Sequence, residues 1–257
     1  MRKFITLTKV YYAYMLEYRA EIVLWMLAGI LPFILMGIWI KLANLGFTKM
    51  GEVDFARYFL SVFITHEIVV VWVIWEFESA VLNGTLSPYL LQPLDPAWRF
   101  IIQHISERLS RLPFMLGLIV AFFMLYPSAF WVPKLVDVLI YIPVVILVFL
   151  LRFLIQYTLS FLAFWTEKVS QLENINFAIY MFLSGYFAPL DVFPKFAKDL
   201  AYLTPFPYMI YLPVNILTGK GVDTKGIFIL LGWTVFFWIV NRLVWKAGLK
   251  RYSAMGA

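Results

Sequence analysis

The 257-residue chain has no cysteine and only two histidines. The first absence removes disulfides, thiolate nucleophiles and cysteine-based metal sites. The second leaves too few imidazoles for a multi-histidine metal centre, and the start His66-Glu67-Ile68-Val69-Val70 has valine where a zinc-protease helix needs its second histidine. A phosphate-cradling loop is missing too. The nearest stretch, Thr218-Gly219-Lys220-Gly221, carries glycine after the lysine instead of Ser or Thr, and Val214 where the loop should open with glycine. ATP hydrolysis through a P-loop, metal catalysis and a catalytic residue set are therefore not expected of this chain. Charge is scarce as well: 14% of residues, against about a quarter in soluble domains.

What fills the sequence is apolar. Hydrophobic residues make up 63% and aromatics 19%, the composition of an all-α integral membrane protein with Trp and Tyr anchors at both interfaces. The net charge of +6 then reads as cytoplasmic cations beside anionic lipid, not as a nucleic-acid surface. No soluble domain or linker interrupts the chain, which reads as one membrane domain over residues 1–257.

Residues 1–21 form a basic lead-in, with Arg2, Lys3, Lys9 and Arg19. Phe4, Leu7, Tyr11, Tyr14 and Tyr18 recur at spacings of three and four, so an amphipathic helix lying in the membrane interface is expected, with packing on another segment as the alternative. Six spans follow. Ile22–Ile40 is free of charge, long enough for a hydrocarbon core of about 30 Å, and kinked at Pro32. The others cover about Tyr58–Phe77, Leu112–Phe130, Val136–Trp165, Ile175–Leu190 and Gly226–Val240. A second interfacial helix, begun by Asp95-Pro96, feeds the third span, and His104 on its polar side is expected to be solvated. Between the fifth and sixth spans, residues 191–219 carry Pro194, Pro205, Pro207 and Pro213, too many for one straight helix, so short re-entrant helices are expected there. With an even number of spans, twelve of the 21 Lys and Arg residues fall on the side of the termini, eight on the other, and Arg152 within the membrane. That bias places both termini in the cytoplasm.

Two groups sit at membrane depth. Glu67 lies halfway along the second span and Arg152 about 16 residues into the fourth. Charges there find partners or water. One reading is a Glu67–Arg152 pair, or Arg152 with Glu76, holding spans together; the other is a polar lining of a substrate path.

The stretch Glu76–Arg99, EFESAVLNGTLSPYLLQPLDPAWR, is written as a folded connector. Gly84 permits a backbone break. Ser87-Pro88 reads as a cap and first helical residue, Pro93 as a stop, and Asp95-Pro96 as a second start. The run GTLSPYLLQPLDP, Gly84 to Pro96, resembles the cytoplasmic segment between the second and third spans of ABC-2-type transporter permeases. The longer run VVWVIWEFESAVLNGTLSPYLLQPLDPAWRF is similar to one bacterial branch of that family, formerly classed as of unknown function. Asn83 stands where related chains often carry an acidic residue.

The resemblance implies the membrane subunit of an ATP-driven exporter in a bacterial inner membrane. It implies two permeases, identical or paralogous, working with two separate ABC ATPase subunits that bind ATP and magnesium, while this chain holds no cofactor. It makes the lead-in an interfacial connecting helix, residues 84–96 the coupling segment, and 191–219 an extracytoplasmic re-entrant gate. Gly84, Thr85, Leu86, Pro88, Tyr89, Leu90, Leu91 and Pro93 become the ATPase-coupling residues, with Leu86, Tyr89, Leu90 and Leu91 as apolar contacts. The sparsely charged, aromatic interior favours an amphipathic or lipid-like cargo. Two other readings stay open on the residues alone: an ion-coupled secondary transporter using Arg152 and Glu67, and an intramembrane enzyme using His66 and Glu67 with Ser61 or Thr65.

Overall fold

The computed structural model describes residues 2–166 and 168–252; Met1, Glu167 and residues 253–257 of the expected 1–257 domain lie outside them. Described residues form helices and 3-10 turns without a strand. Helix α1 spans Arg2–Glu17, α2 Arg19–Ala28 and α3 Leu31–Asn44. The break at Gly29-Ile30 follows from Pro32, which lacks an N–H and whose ring clashes with the preceding turn. Helix α4 is Glu52–Val69, α5 Val73–Leu82, α6 Leu86–Leu90 and α7 Pro96–Leu125. Then come α8 (Leu135–Ser160), α9 (Ser170–Leu183), α10 (Lys195–Tyr202), α11 (Tyr211–Leu217) and α12 (Thr224–Leu249).

Among the described residues, five stretches are long and apolar enough to cross a membrane: Ala20–Asn44, Glu52–Leu82, Pro96–Leu125, Leu135–Phe164 and Thr224–Leu249. A sixth would come from Lys195–Tyr202 with Phe206–Leu217, which are bent by 81°. The flanks of that bent pair meet: Lys220 Nζ lies 3.6 Å from Asp191 Oδ2. The pair thus enters and leaves at one end of the bundle. Helix α9, expected to be the fifth span, is only 14 residues long. At 1.5 Å per residue it covers ~21 Å, short of a full hydrocarbon core. Its ends nonetheless lie at opposite ends of the bundle. Its N-terminus is held by Glu78 of α5, whereas the Tyr58 hydroxyl donates to Gly185 O (2.6 Å) and Trp39 Nε1 donates to Phe187 O (2.9 Å) just beyond its C-terminus.

The expected interfacial helix and third span are one continuous helix, α7, which carries Pro113 without breaking. Asp95 caps it as its sequence announces, Oδ1 accepting from Ala97 N at 2.9 Å with Pro96 in the first turn. Helix α1 rests on α7. Phe4 meets Trp98 edge-on, Ser106 Oγ donates to Thr8 O (3.3 Å), and Leu7 and Tyr11 are half-buried, while Tyr14 and Tyr18 are exposed.

The Glu52–Leu82 span is the axis of the bundle: 78% of its apolar window is buried, against 17% for Pro96–Leu125 and Thr224–Leu249. Phe55, Phe59 and Phe63 fill one core between α3, α4 and α8. A second core gathers around Phe77, whose ring lies 5.3–6.2 Å from those of Phe100, Tyr157, Phe161, Phe164 and Trp245. Aromatic pairs at this spacing add about 0.5–1.5 kcal/mol each beyond area burial. This second core is the platform on which the connector stands.

Candidate functional site

The axis helix is broken inside the bundle. Between α4 and α5, Val70 adopts an extended conformation and the helical ladder stops. Backbone groups freed in a membrane must be satisfied by protein, and α7 does this with two side chains. Arg108 donates to the carbonyls of Ile68, Val70 and His104. His104 accepts the Trp72 N–H on Nε2 (3.0 Å) and donates from Nδ1 to Phe100 O (2.8 Å), an arrangement that requires the neutral Nδ1–H tautomer. His104 is therefore fully buried, contrary to the solvated side chain expected from the helix pattern. Its position three residues before Glu107 put it on a polar face, but that face packs on the break.

Charged groups cluster at the same level. Arg111 joins two carboxylates, Glu107 Oε1 at 2.6 Å and Glu67 Oε2 at 3.5 Å, and its guanidinium stacks 4.8 Å over Trp72. Trp72 Nε1 in turn donates to Glu107 Oε2 (2.8 Å). Glu107 and Arg111 stand four residues apart on α7, and the packing buries the pair. The other side of Glu67 abuts Gly29: a Cβ there would lie 2.4 Å from Glu67 Oε1, so the α2–α3 break brings a bare backbone against this carboxylate.

The expected partner of Glu67 is thus replaced. Arg152 does not pair with Glu67, because Arg111 reaches that carboxylate from α7, and it does not pair with Glu76, which accepts from Gln103 Nε2 (2.6 Å). Arg152 instead lies 4.0 Å over the Tyr180 ring. Glu67 and Arg152 still share one cavity of about 340 Å³, together with His66, Arg111, Glu173 and the rings of Trp25, Trp75 and Phe177. Glu173, buried on α9, was not singled out in the sequence. It accepts from Gln156 Nε2 (2.6 Å) and Asn176 Nδ2 (2.9 Å). The nucleophile–base pairing an intramembrane enzyme would need is not assembled: His66 Nδ1 meets the Tyr180 hydroxyl (3.2 Å) and Thr65 Oγ1 the Tyr141 hydroxyl (3.0 Å).

The connector is a short helix on a rigid mount. Gly84 has φ +69, the left-handed region where a Cβ is unfavourable, and so turns the chain out of α5. Helix α6 then starts at Leu86, not after Ser87. The expected Ser87 cap is not formed; Ser87 Oγ instead meets the Tyr252 hydroxyl at 2.9 Å. Pro88 is tolerated because it falls within the first turn, where the backbone N–H has no helical partner. Helix α6 ends at Leu90, three residues before Pro93. Leu86 is turned inward and fully buried, an anchor in the Phe77 core instead of the outward contact expected of it. Tyr89 and Leu90 are half-buried, and Tyr89 lies 4.0 Å beneath the Arg99 guanidinium, which also reaches the Tyr11 ring of α1 at 5.9 Å. Leu91 is 88% exposed, and Thr85, Pro88, Gln92 and Pro93 share its outward side.

The connector is also tied to the far half of the chain through a carboxylate. Glu78, on the last turns of α5, accepts from Val169 N and Ser170 N (2.6 Å each) and from Ser170 Oγ (3.1 Å). It caps the first turn of α9 from another helix, a job that Ser170 and its neighbours leave open. Glu78→Ala is expected to cost about 1–2 kcal/mol. The cost should appear as a lower midpoint in thermal unfolding of the detergent-solubilised chain and as faster hydrogen exchange at 169–173. An unchanged midpoint and exchange rate would show that Glu78 does not hold the first turn of α9.

An apolar helical bundle, broken at its axis around a buried charge cluster, defines a polytopic membrane protein with a polar interior. Comparison with protein families identifies its kind: the profile described as "ABC-2 family transporter protein" matches residues 46–256, and the chain belongs to that family. It is thus a membrane permease of an ABC transporter, in a family whose members are typically non-catalytic and work with ABC ATPase partners. Comparisons with curated proteins and with solved structures return no match.

Proposed function

We propose that this chain is the transmembrane subunit of an exporter that moves an amphipathic or lipid-like substrate outward, driven by separate ATPase subunits that bind ATP and magnesium. The observation that carries this reading is the mounted connector. Its outward residues Thr85, Pro88, Leu91, Gln92 and Pro93 are exposed, with Leu91 and the two prolines as apolar points for docking. Its inner side is fixed to three other elements, through Glu78 to α9, Arg99 to α1, and Ser87 to the C-terminal segment. A push on such a helix is delivered to α5 and α9 at once, and both line the cavity that holds Glu67 and Arg152.

The same reading assigns the bent pair α10–α11 as an outer re-entrant gate and α1 as an interfacial helix. The cation bias supports cytoplasmic termini in a bacterial inner membrane. With Arg108 and Arg111 withdrawn into the bundle, ten flanking cations remain against eight, the same sign. A second permease, a copy or a paralogue, completes the assembly, and the surrounding lipid covers the exposed helix faces.

The test is reconstitution. The chain should bring no ATPase activity into proteoliposomes alone. Together with its co-expressed P-loop ATPase it should give ATP hydrolysis and ATP-dependent movement of a fluorescent lipid between leaflets. Failure of any such ATPase to co-purify would overturn the exporter assignment.

A further inference from the structure

The cavity between α2, α4, α5, α7, α8 and α9 contains a guanidinium that no carboxylate bonds. Arg152 is 6% exposed and its Nη1 has no hydrogen-bond partner. Among the described residues it makes no ion pair. It lies over the face of the Tyr180 ring. Of the two carboxylates on the same walls, Glu67 is paired with Arg111, while Glu173 accepts from the neutral amides of Gln156 and Asn176 and acts on Arg152 only through space, without a bond to it. Arg111 also lines the cavity and keeps its Nε unpartnered. A guanidinium stays charged at any ordinary pH, and at membrane depth a guanidinium nitrogen left without an acceptor is costly unless a ligand supplies one. Most of the remaining lining is apolar, aromatic rings together with Leu31, Val70 and Val71, and Trp25 and Trp75 are about half exposed at its rim. At about 340 Å³ the cavity falls at the low end of small-molecule pockets, roomier than a bare anion needs.

We infer that this cavity takes the anionic head group, phosphate or carboxylate, of an amphiphile, with Arg152 as its counter-charge and the aromatic walls around the first part of its chain. The inference rests on the permease reading and narrows its substrate class. Arg111 positions Glu67 and Glu107 and so keeps those carboxylates from closing on Arg152. Arg152 is open to a ligand because neither acid on these walls bonds its Nη1.

The full-length chain, purified in a neutral maltoside, tests this without any ATPase. Dodecyl phosphate is titrated while intrinsic tryptophan fluorescence and thermal midpoint are followed; dodecylphosphocholine and inorganic phosphate are the comparison probes. Dodecyl phosphate should bind saturably and raise the midpoint. Arg152→Gln should weaken its affinity at least tenfold, and Arg152→Lys should recover part of the loss. Asn174→Trp, at an exposed position on the cavity wall, should block binding while leaving the ligand-free midpoint unchanged. Unaltered affinity in Arg152→Gln overturns the proposal, and if that variant does not fold, unaltered affinity in Asn174→Trp does so. An equal response to inorganic phosphate would mean a free-anion site, and an equal response to dodecylphosphocholine would mean no selection for a net negative head; either result rejects the amphiphile-head assignment. None of these failures touches the ATPase partnership, which reconstitution tests separately.

Discussion

Replacing Arg111 with alanine should lower the unfolding free energy by about 3–5 kcal/mol, the usual cost of removing one partner from a buried ionic cluster. The guanidinium and the Glu67 carboxylate are almost wholly withdrawn from water, with side-chain exposures of 6% and 5%. Its loss leaves Glu67 and Glu107 facing each other without a cation. Arg108 cannot move in to replace it, because its donors already hold the carbonyls freed at the α4–α5 break. The magnitude measures the orphaned carboxylates more than the attraction itself. Arg111→Met combined with Glu67→Gln and Glu107→Gln should therefore regain most of the loss. Reversible unfolding in mixed micelles gives the values. A single mutant within 1 kcal/mol of the parent would show that the cluster is water-filled and unimportant to the fold.

The second large effect concerns partnership and should leave stability alone. Leu91→Glu places a carboxylate at the most outward point of the connector, where the side chain is 88% exposed. If that edge sits in a groove of the ATPase, burying the new charge should cost about 2 kcal/mol or more, roughly thirtyfold in affinity. ATPase recovery in pull-downs from detergent should fall accordingly while the thermal midpoint of the permease is unchanged. Leu86→Ala should do the reverse. That side chain is fully buried, and its loss should destabilise the chain by about 2–5 kcal/mol, lowering ATPase recovery only through loss of folded protein. Normal ATPase capture by Leu91→Glu would move the docking surface elsewhere.

These two expectations separate readings that the sequence leaves merged. In GTLSPYLLQP each leucine is an equal candidate for contact with a partner. A helix of five residues makes fewer than two turns, so periodicity cannot tell which side faces the Phe77 core. The start of α6 was equally ambiguous, because a proline fits anywhere in a first turn and does not fix the first residue. Asp95-Pro96 was unambiguous for the opposite reason. Cap and first turn are adjacent in sequence, so the interaction needs nothing from the rest of the fold.

The sequence by itself determined five of the six expected spans, the Pro32 kink, the break at Gly84, the α7 cap and the absence of a phosphate loop, and through the connector motif it pointed to the family. All of these are set by neighbours within a few residues, by composition, or by a contiguous motif. Only the tertiary structure decided who partners the intramembrane charges. An arginine side chain is long enough to choose among carboxylates on several adjacent helices, and that choice depends on helix rotation and depth. So Glu67 went to Arg111, Arg152 was left over Tyr180, His104 went to a broken backbone, and Glu78 became the cap of a helix ninety residues away.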